Sequence, residues 1–470
     1  MPDSLMRRIS QNFVFLFLLS ILGGCVTSSP ESQNELSQVQ QHVPDNWGQS
    51  SEPGELLDDW LNDFEDDELV NLVETAMRQN PSLQAAVYRL QQVEANAQIA
   101  GAMNYPSLGA GFSATEQKVL FNPFGSFNIT NYSLSLSSQW ELDIWGKVRD
   151  QHSATLALFE ASGYDMEALR LSLISQISKA WFNAKELLYQ RDLARRSSES
   201  FDANLKILED RYQRGLVQAF DLRLSRSQAA VVRAQVSQGE SALDQAIRLL
   251  ETLVGEYPGR TIELTKELPA VGTPIPAGLP ASLLVQRPDL LAAERRLAAL
   301  GANFKVAKKN RLPDISLTGS LGQASNELGN LLDGDSGVWS LAGNISAPIF
   351  RGGQLGAQRR QAEAQFNEQI ANYETAILNA FREVETALAN QAYLVQLVDE
   401  LSLAAKQSSR ALDQAWVLYG RGLLDISAVL DTERRSFETS SQSIAAINRV
   451  LQNRIDLYIA LGGGFNLDEE

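Results

Sequence analysis

The 470-residue chain has a single cysteine, Cys25, so no disulfide can form within it. It has two histidines, His42 and His152. Neither has a cysteine beside it or a second histidine three or four positions on, which excludes the usual spacings of a metal site. Its glycine-rich stretches, such as "LGGG" at 461–464, lack the Lys and Ser/Thr of a phosphate-binding loop. Positive charge is scarce: 40 Lys and Arg stand against 57 Asp and Glu, so the surface repels nucleic acid phosphates. Among so many acids no pair stands out for acid–base work, and no enzymatic activity is expected. The longest apolar run, "FVFLFLLSIL" at 13–22, is too short to span a bilayer; following Arg7 and Arg8, it has the layout of an export signal.

The signal, residues 1–24, ends in "LGGC", which puts Cys25 directly after small residues. This resembles a bacterial lipobox. The resemblance implies that Cys25 is acylated, palmitate included, and becomes the mature N-terminus, followed by a tail over 25–59. Val26 stands where an inner-membrane retention signal has Asp, which implies the outer membrane. Such an anchor holds a protein on a membrane without spanning it.

An internal repeat sets the architecture. "NPSLQAA" at 80–86 answers to "RPDLLAA" at 287–293, Pro106 to Pro313, Tyr212 and Gly215 to Tyr419 and Gly422, and Gly255 to Gly462, each pair 207 residues apart (287 − 80, 462 − 255). Halves that keep one spacing over so long a stretch are built from the same packed elements, because loops drift in length more readily than helices. The spacing predicts repeats at 60–256 and 288–464, a Pro/Gly-rich connector at 257–287 with one short strand at 261–265, and a C-terminal tail at 465–470.

Each half carries a very long helix. No Gly or Pro occurs over 164–214 or 357–419, and Tyr373, Ile377, Phe381, Val384 and Leu388 recur at helical spacing. Helices are predicted over 148–214, 220–254, 354–419 and 424–461. Such elements must pack along their whole length, as in a coiled coil or a helical barrel. "YQRGLVQ" at 212–218 and "YGRGLLD" at 419–425 fall at the junctions, as turns of helical hairpins whose glycines cap the helices.

Ahead of each long helix, apolar and small polar residues alternate over 107–117, 132–142, 314–322 and 338–347, predicting four strands in two hairpins. With Trp140 and Trp339 near strand ends as membrane-interface aromatics, the pattern matches transmembrane strands, although a half-buried soluble sheet gives the same alternation. Four strands cannot close a barrel, so partners are required: eight strands in a dimer or twelve in a trimer. The segments at 119–131 and 323–337 are then loops at the outer end.

These residues resemble the TolC-type outer-membrane efflux family, in particular its lipoprotein branch. The matching stretches are "LGGC", "WLNDFEDDELVNLVETAMRQNPSL" at 60–83, "WELDIWGK" at 140–147, "RPDLLAAERRL" at 287–297, "PIFRGGQL" at 348–355, "REVETAL" at 382–388 and "YIALGGG" at 458–464. The resemblance implies a mixed α and β membrane protein, a homotrimer with a twelve-stranded outer-membrane barrel continued by a helical barrel in the periplasm. It implies passive conduction of drugs or other small molecules from a proton-driven inner-membrane transporter through a periplasmic adaptor. It also implies adaptor docking at Gly215, Leu216, Gly422 and Leu423, and a periplasmic gate of Asp431 and Arg434, in "VLDTERR", with Tyr419. A plain reading of Asp431 and Arg434 is a surface ion pair one helical turn apart. Leu224 stands 207 residues before Asp431, so the acidic position belongs to the second half alone. An exit duct for secreted proteins and a lipid-anchored coiled-coil scaffold are the competing functions; a scaffold has no use for four alternating strands.

Overall fold

The computed structural model describes residues 44, 46–48, 60–121, 123, 125–265, 268–269, 275, 277–278 and 280–463. Cys25 and the tail around it lie outside these residues.

The alternating segments pair into one antiparallel sheet of order β1 (Ser107–Phe121), β2 (Gly125–Glu141), β3 (Asp314–Ser325) and β4 (Gly337–Ser346). The register is unbroken, with Leu136 opposite both Ala110 and Leu321, and Leu321 opposite Trp339. Side chains on opposed residues share a face, so the pairing collects Leu108, Phe112, Leu134, Leu136, Leu321 and Leu341 on one side. The other side is lined by serine: Ser113 bonds Ser133 and Ser320 bonds Ser340 through their hydroxyls, both at 2.8 Å. The first hairpin runs further than the alternation indicated. Pairing continues from Thr115↔Asn131 to Phe121↔Gly125, because main-chain bonding does not need the alternation and Gly125, at φ 93°, closes the turn.

The helical part repeats the same order twice. In the first half, α1 (Asp67–Gln79) and α2 (Pro81–Ala102) precede the β1–β2 hairpin, and α3 (Lys147–Gln213) and α4 (Ala219–Val254) follow it. In the second, α5 (Leu283–Gln286) and α6 (Pro288–Lys309) precede β3–β4, with α7 (Gln354–Gly420) and α8 (Ile426–Ala460) after it. Helices α3 and α7 each have 67 residues, a length of roughly 100 Å at 1.5 Å per residue.

Different side chains hold equivalent positions in the two halves. Asn80 caps α2 by accepting from the Ser82 and Leu83 amides, and its Nδ2 donates to Leu253 O at 2.7 Å. Arg287, its repeat partner, donates to Ala460 O at 3.0 Å. Each ties the start of a shorter helix to the end of the returning one.

The main core sits where α1 crosses the long helices. Trp60 and Tyr458 stack there at 5.2 Å, and Trp181, Phe182, Leu250 and Leu451 are almost fully buried. The strand expected at 261–265 is absent: that stretch is irregular. The amides of Arg260, Thr261 and Ile262 turn instead onto the carboxylate of Glu251, which supplies the acceptors a neighbouring strand would have given.

Candidate functional site

The two hairpin tips share one geometry. Gly215 has φ 72° and Gly422 φ 73°, a left-handed conformation in which glycine carries no steric cost. The amide of Leu216 donates to Arg211 O and that of Leu423 to Leu418 O, each at 3.0 Å. Leu216 and Leu423 are 70% and 69% exposed, so each turn presents its leucine to solvent, and in the first hairpin Phe220 is exposed close by. Behind the tips, Phe201, Leu208, Val232, Ala415, Val429 and Leu430 pack the two hairpins together. Trp416 meets Tyr419 edge-on at 5.9 Å, and the guanidinium of Arg211 lies over the Tyr419 ring.

Two of the predicted gate residues, Asp431 and Arg434, share the exposed face of α8. Asp431 accepts from Arg434 at 2.7 Å and pairs with Arg435 at 3.5 Å, while Arg434 reaches Glu438 at 3.7 Å. The hydrogen bond from Arg434 is the largest influence on the Asp431 carboxyl and, with Arg435, holds it below the usual range. Tyr419 is not in this cluster; it sits at the tip with Arg211.

A residue that sequence reasoning passed over lies on the other face of α8. Glu433 is 3% exposed; its Oε1 accepts from Ser200 Oγ on α3 at 2.6 Å, and its buried Oε2 has no partner among the described residues. Burial raises its pKa, against the smaller opposing effect of hydrogen bonds from Ser200 and Asn204. The repeat carried a signal of this difference. Arg226, 207 residues earlier, is exposed and pairs with Glu209 across its own hairpin. Glu433 instead bonds the other hairpin.

Trp140 and Trp339 lie on the apolar face of the sheet. The Trp140 indole donates to Asn104 O at 3.1 Å, at the helix-proximal end of β2, whereas Trp339, near the outer end of β4, is 77% exposed. Among the described residues no group of three His, Cys, Asp or Glu is placed to hold a metal, and no helix is long and apolar enough to cross a membrane.

Two helical hairpins roughly 50 Å and more in length, under a sheet apolar on one face and serine-lined on the other, define a subunit of a membrane duct. The model of the outer membrane efflux protein family matches residues 72–256 and 279–463, both bounds of the second match lying 207 residues beyond the first (279 − 72, 463 − 256). The chain belongs to this family of channel proteins and is an outer-membrane component of an efflux pump. It is similar to the probable outer membrane lipoprotein SilC of Salmonella typhimurium, 28% identical over 450 residues, covering 95% of this chain and 97% of that one. The pyoverdine export outer membrane protein OpmQ of Pseudomonas aeruginosa is 30% identical over 425 residues, covering 87% and 88%. Among solved structures, the outer-membrane channel OprN superposes with a TM-score of 0.84 at 28% identity, covering 90% of this chain and 98% of that one. The open state of the Neisseria gonorrhoeae MtrE outer membrane channel does so at 0.78 and 30%, covering 90% and 96%.

Proposed function

We propose that three copies of this chain close a twelve-stranded outer-membrane barrel, continued into the periplasm by their long helices, and that the tube passively conducts small molecules. The observation that carries this is the pair of open edges, β1 and β4, on a sheet with one apolar face. Bare edges cannot sit in hydrocarbon, and eight strands leave an interior only wide enough for side chains. Twelve give a lumen.

In this reading a periplasmic adaptor docks at Gly215, Leu216, Gly422 and Leu423, and delivers cargo from a proton-driven inner-membrane transporter. Asp431, Arg434 and Tyr419 narrow the resting tube near its tip. Cys25 carries the lipid that adds an anchor in the outer membrane, as the name lipoprotein indicates for SilC. Trp140 and Trp339 meet the membrane interface. Cargo selection belongs to the transporter: the relatives' names cite cation efflux for CusC, pyoverdine for OpmQ and toluene for TtgF. The serine-lined face suits such indifference, since from Ser107 to Ser113 and from Ser133 to Gln139 it bears no charged side chain.

Conductance of purified trimers in planar bilayers tests the reading. Channels of graded opening are expected from the wild type and from Asp431→Ala; silence from both removes the duct.

A further inference from the structure

The face assignment of the first hairpin inverts partway up. From Ser107 to Ala114 the odd-numbered residues of β1, with the odd-numbered residues of β2 opposite, form the small polar face, and the even-numbered ones form the apolar face. Beyond Ser113↔Ser133 the ladder continues without a bulge, so the same parity still marks the same face. Above Ala114 and Tyr132, the outward side carries Glu116 and Lys118, opposite Thr130 and Asn128, and then Leu120. The inward side carries first the polar pair Thr115 and Asn131, then Ile129, opposite Gln117, and Val119, opposite Phe127. Polar residues turn outward where the strand leaves hydrocarbon, as expected, but above Thr115 and Asn131 the side that continues the lumen wall gains Ile129, Val119 and Phe127.

This inverted part lies beyond the pairing of β2 with β3. Pairing of β2 with β3 ends at Tyr132↔Ser325, so residues 125–131 extend beyond the last pair, as a flap about 24 Å long at 3.4 Å per residue. Twelve strands spaced about 4.8 Å apart and tilted near 40° enclose a barrel roughly 24 Å across. A flap of that length, bent inward, reaches past the axis, and three of them cover the mouth.

We propose that three copies of Val119, Phe127 and Ile129 form an apolar collar at the outer mouth of the barrel, which opposes hydrated ions and polar solutes and yields to organic cargo. The inference rests on the reading that three copies close a barrel with the serine face inward; each flap then looks onto two others across the axis. A narrow apolar constriction resists wetting, so ions must shed hydration there, whereas an apolar solute gains contact with it. The collar would keep the outer end shut to hydrophilic molecules independently of the periplasmic tip.

The test uses the full chain in cells with Ser137→Cys, on the serine face below the flap, and a charged polyethylene-glycol maleimide too large for porins. Labelling above that of the chain without the new cysteine is expected to be slow. It should rise several-fold when Phe127→Ser and Ile129→Ser are added, and stay slow with Phe127→Leu and Ile129→Val, trimers being equally abundant in all three. Equal rates in the three chains would overturn the collar. If Ser137→Cys stays unlabelled even after residues 117–129 are replaced by a two-residue Asn-Gly turn, the serine face lines no water-filled lumen. The collar and the duct reading then fall together.

Discussion

The guanidinium of Arg211 lies 4.9 Å from the ring centre of Tyr419, joining the end of α3 to the end of α7 and so one hairpin tip to the other. The repeat does not contain this contact twice. Tyr419 corresponds to Tyr212, but Arg211 corresponds to Leu418, so the pair exists only where the two tips lean on each other.

Tyr419→Ala is expected to loosen the joined tips, and Tyr419→Phe to leave them as they are, because the ring face and not the hydroxyl meets the cation. An exposed cation–π contact contributes about 0.5–1 kcal/mol, roughly two- to five-fold in an equilibrium between resting and open tips. Open probability of single trimers in planar bilayers measures it. Equal values for Ala and Phe would show that the stack does not restrain the tip.

Asp431 forms exposed intrachain pairs, and such pairs contribute little to stability. Asp431→Ala should therefore raise resting conductance without lowering the thermal stability of the subunit. Because the carboxyl is held below its ordinary range, its folded pKa is depressed, and whatever it holds closed is retained at neutral pH and lost only as acid takes the pH through that lowered value. Wild-type conductance recorded from neutral to strongly acid pH should stay low and then climb, while the Ala variant stays high throughout. A climb near neutrality would assign closure to another group.

The repeat, the long helices and the four strands were legible because each rests on a periodicity that a single sequence displays: 207 residues for the halves, a helical turn for α3 and α7, and two residues for the sheet. The flap was not, since its strands carry no continuous alternation and only main-chain pairing reveals them. The 261–265 segment reads like a strand locally, yet Glu251 from α4 captures its amides, a contact no local pattern announces. At the tips, the glycine turns could be placed from their neighbours. Glu433 could not, because burial against Ser200 depends on how one hairpin is rotated against the other.

Glu433 makes the opposite pH prediction from Asp431. Its folded pKa is raised, so between the unfolded and folded values the native chain binds more protons than the unfolded one, and stability falls as pH rises through that window. Thermal unfolding in detergent should show the wild type losing a few degrees from mildly acid to neutral pH. Glu433→Gln, which keeps the shape and removes the buried charge, should abolish that slope and be the more stable chain at neutral pH. A slope unchanged in Gln would place its origin elsewhere.

Near the middle of the tube, Asp66 receives the Lys185 ammonium at 2.7 Å and the Trp181 indole at 2.8 Å, and its other oxygen caps α1 at the Leu69 amide. The Lys185 and Asp66 side chains are 3% and 8% exposed, so removing either one takes the opposite charge away from a buried ion. Lys185→Ala and Asp66→Ala should each cost about 3–5 kcal/mol, and the double variant with Met at 185 and Leu at 66 much less than their sum. Chemical unfolding of the four chains decides it; additive losses would mean the pair is not coupled.

Leu216 and Leu423 sit on turns of matching backbone, with matching hydrogen bonds and nearly equal exposure, so an adaptor that recognises the turn itself should not distinguish them. Leu216→Ser and Leu423→Ser are therefore expected to lower pump-dependent drug resistance by similar amounts, each by a few-fold, with the double variant close to the pump-null strain. Serine keeps the turn, because the left-handed residue is the preceding glycine, so trimer yield and bilayer conductance should remain those of the wild type. The conductance control separates docking from gating: a Leu423→Ser channel that loses resistance and also opens at rest would act through the neighbouring gate on α8. If only one of the two variants loses resistance, the matched geometry is a product of the repeat and not of docking, and the adaptor must read the tips through the residues in which they differ, such as Val217 against Leu424 and Gln218 against Asp425.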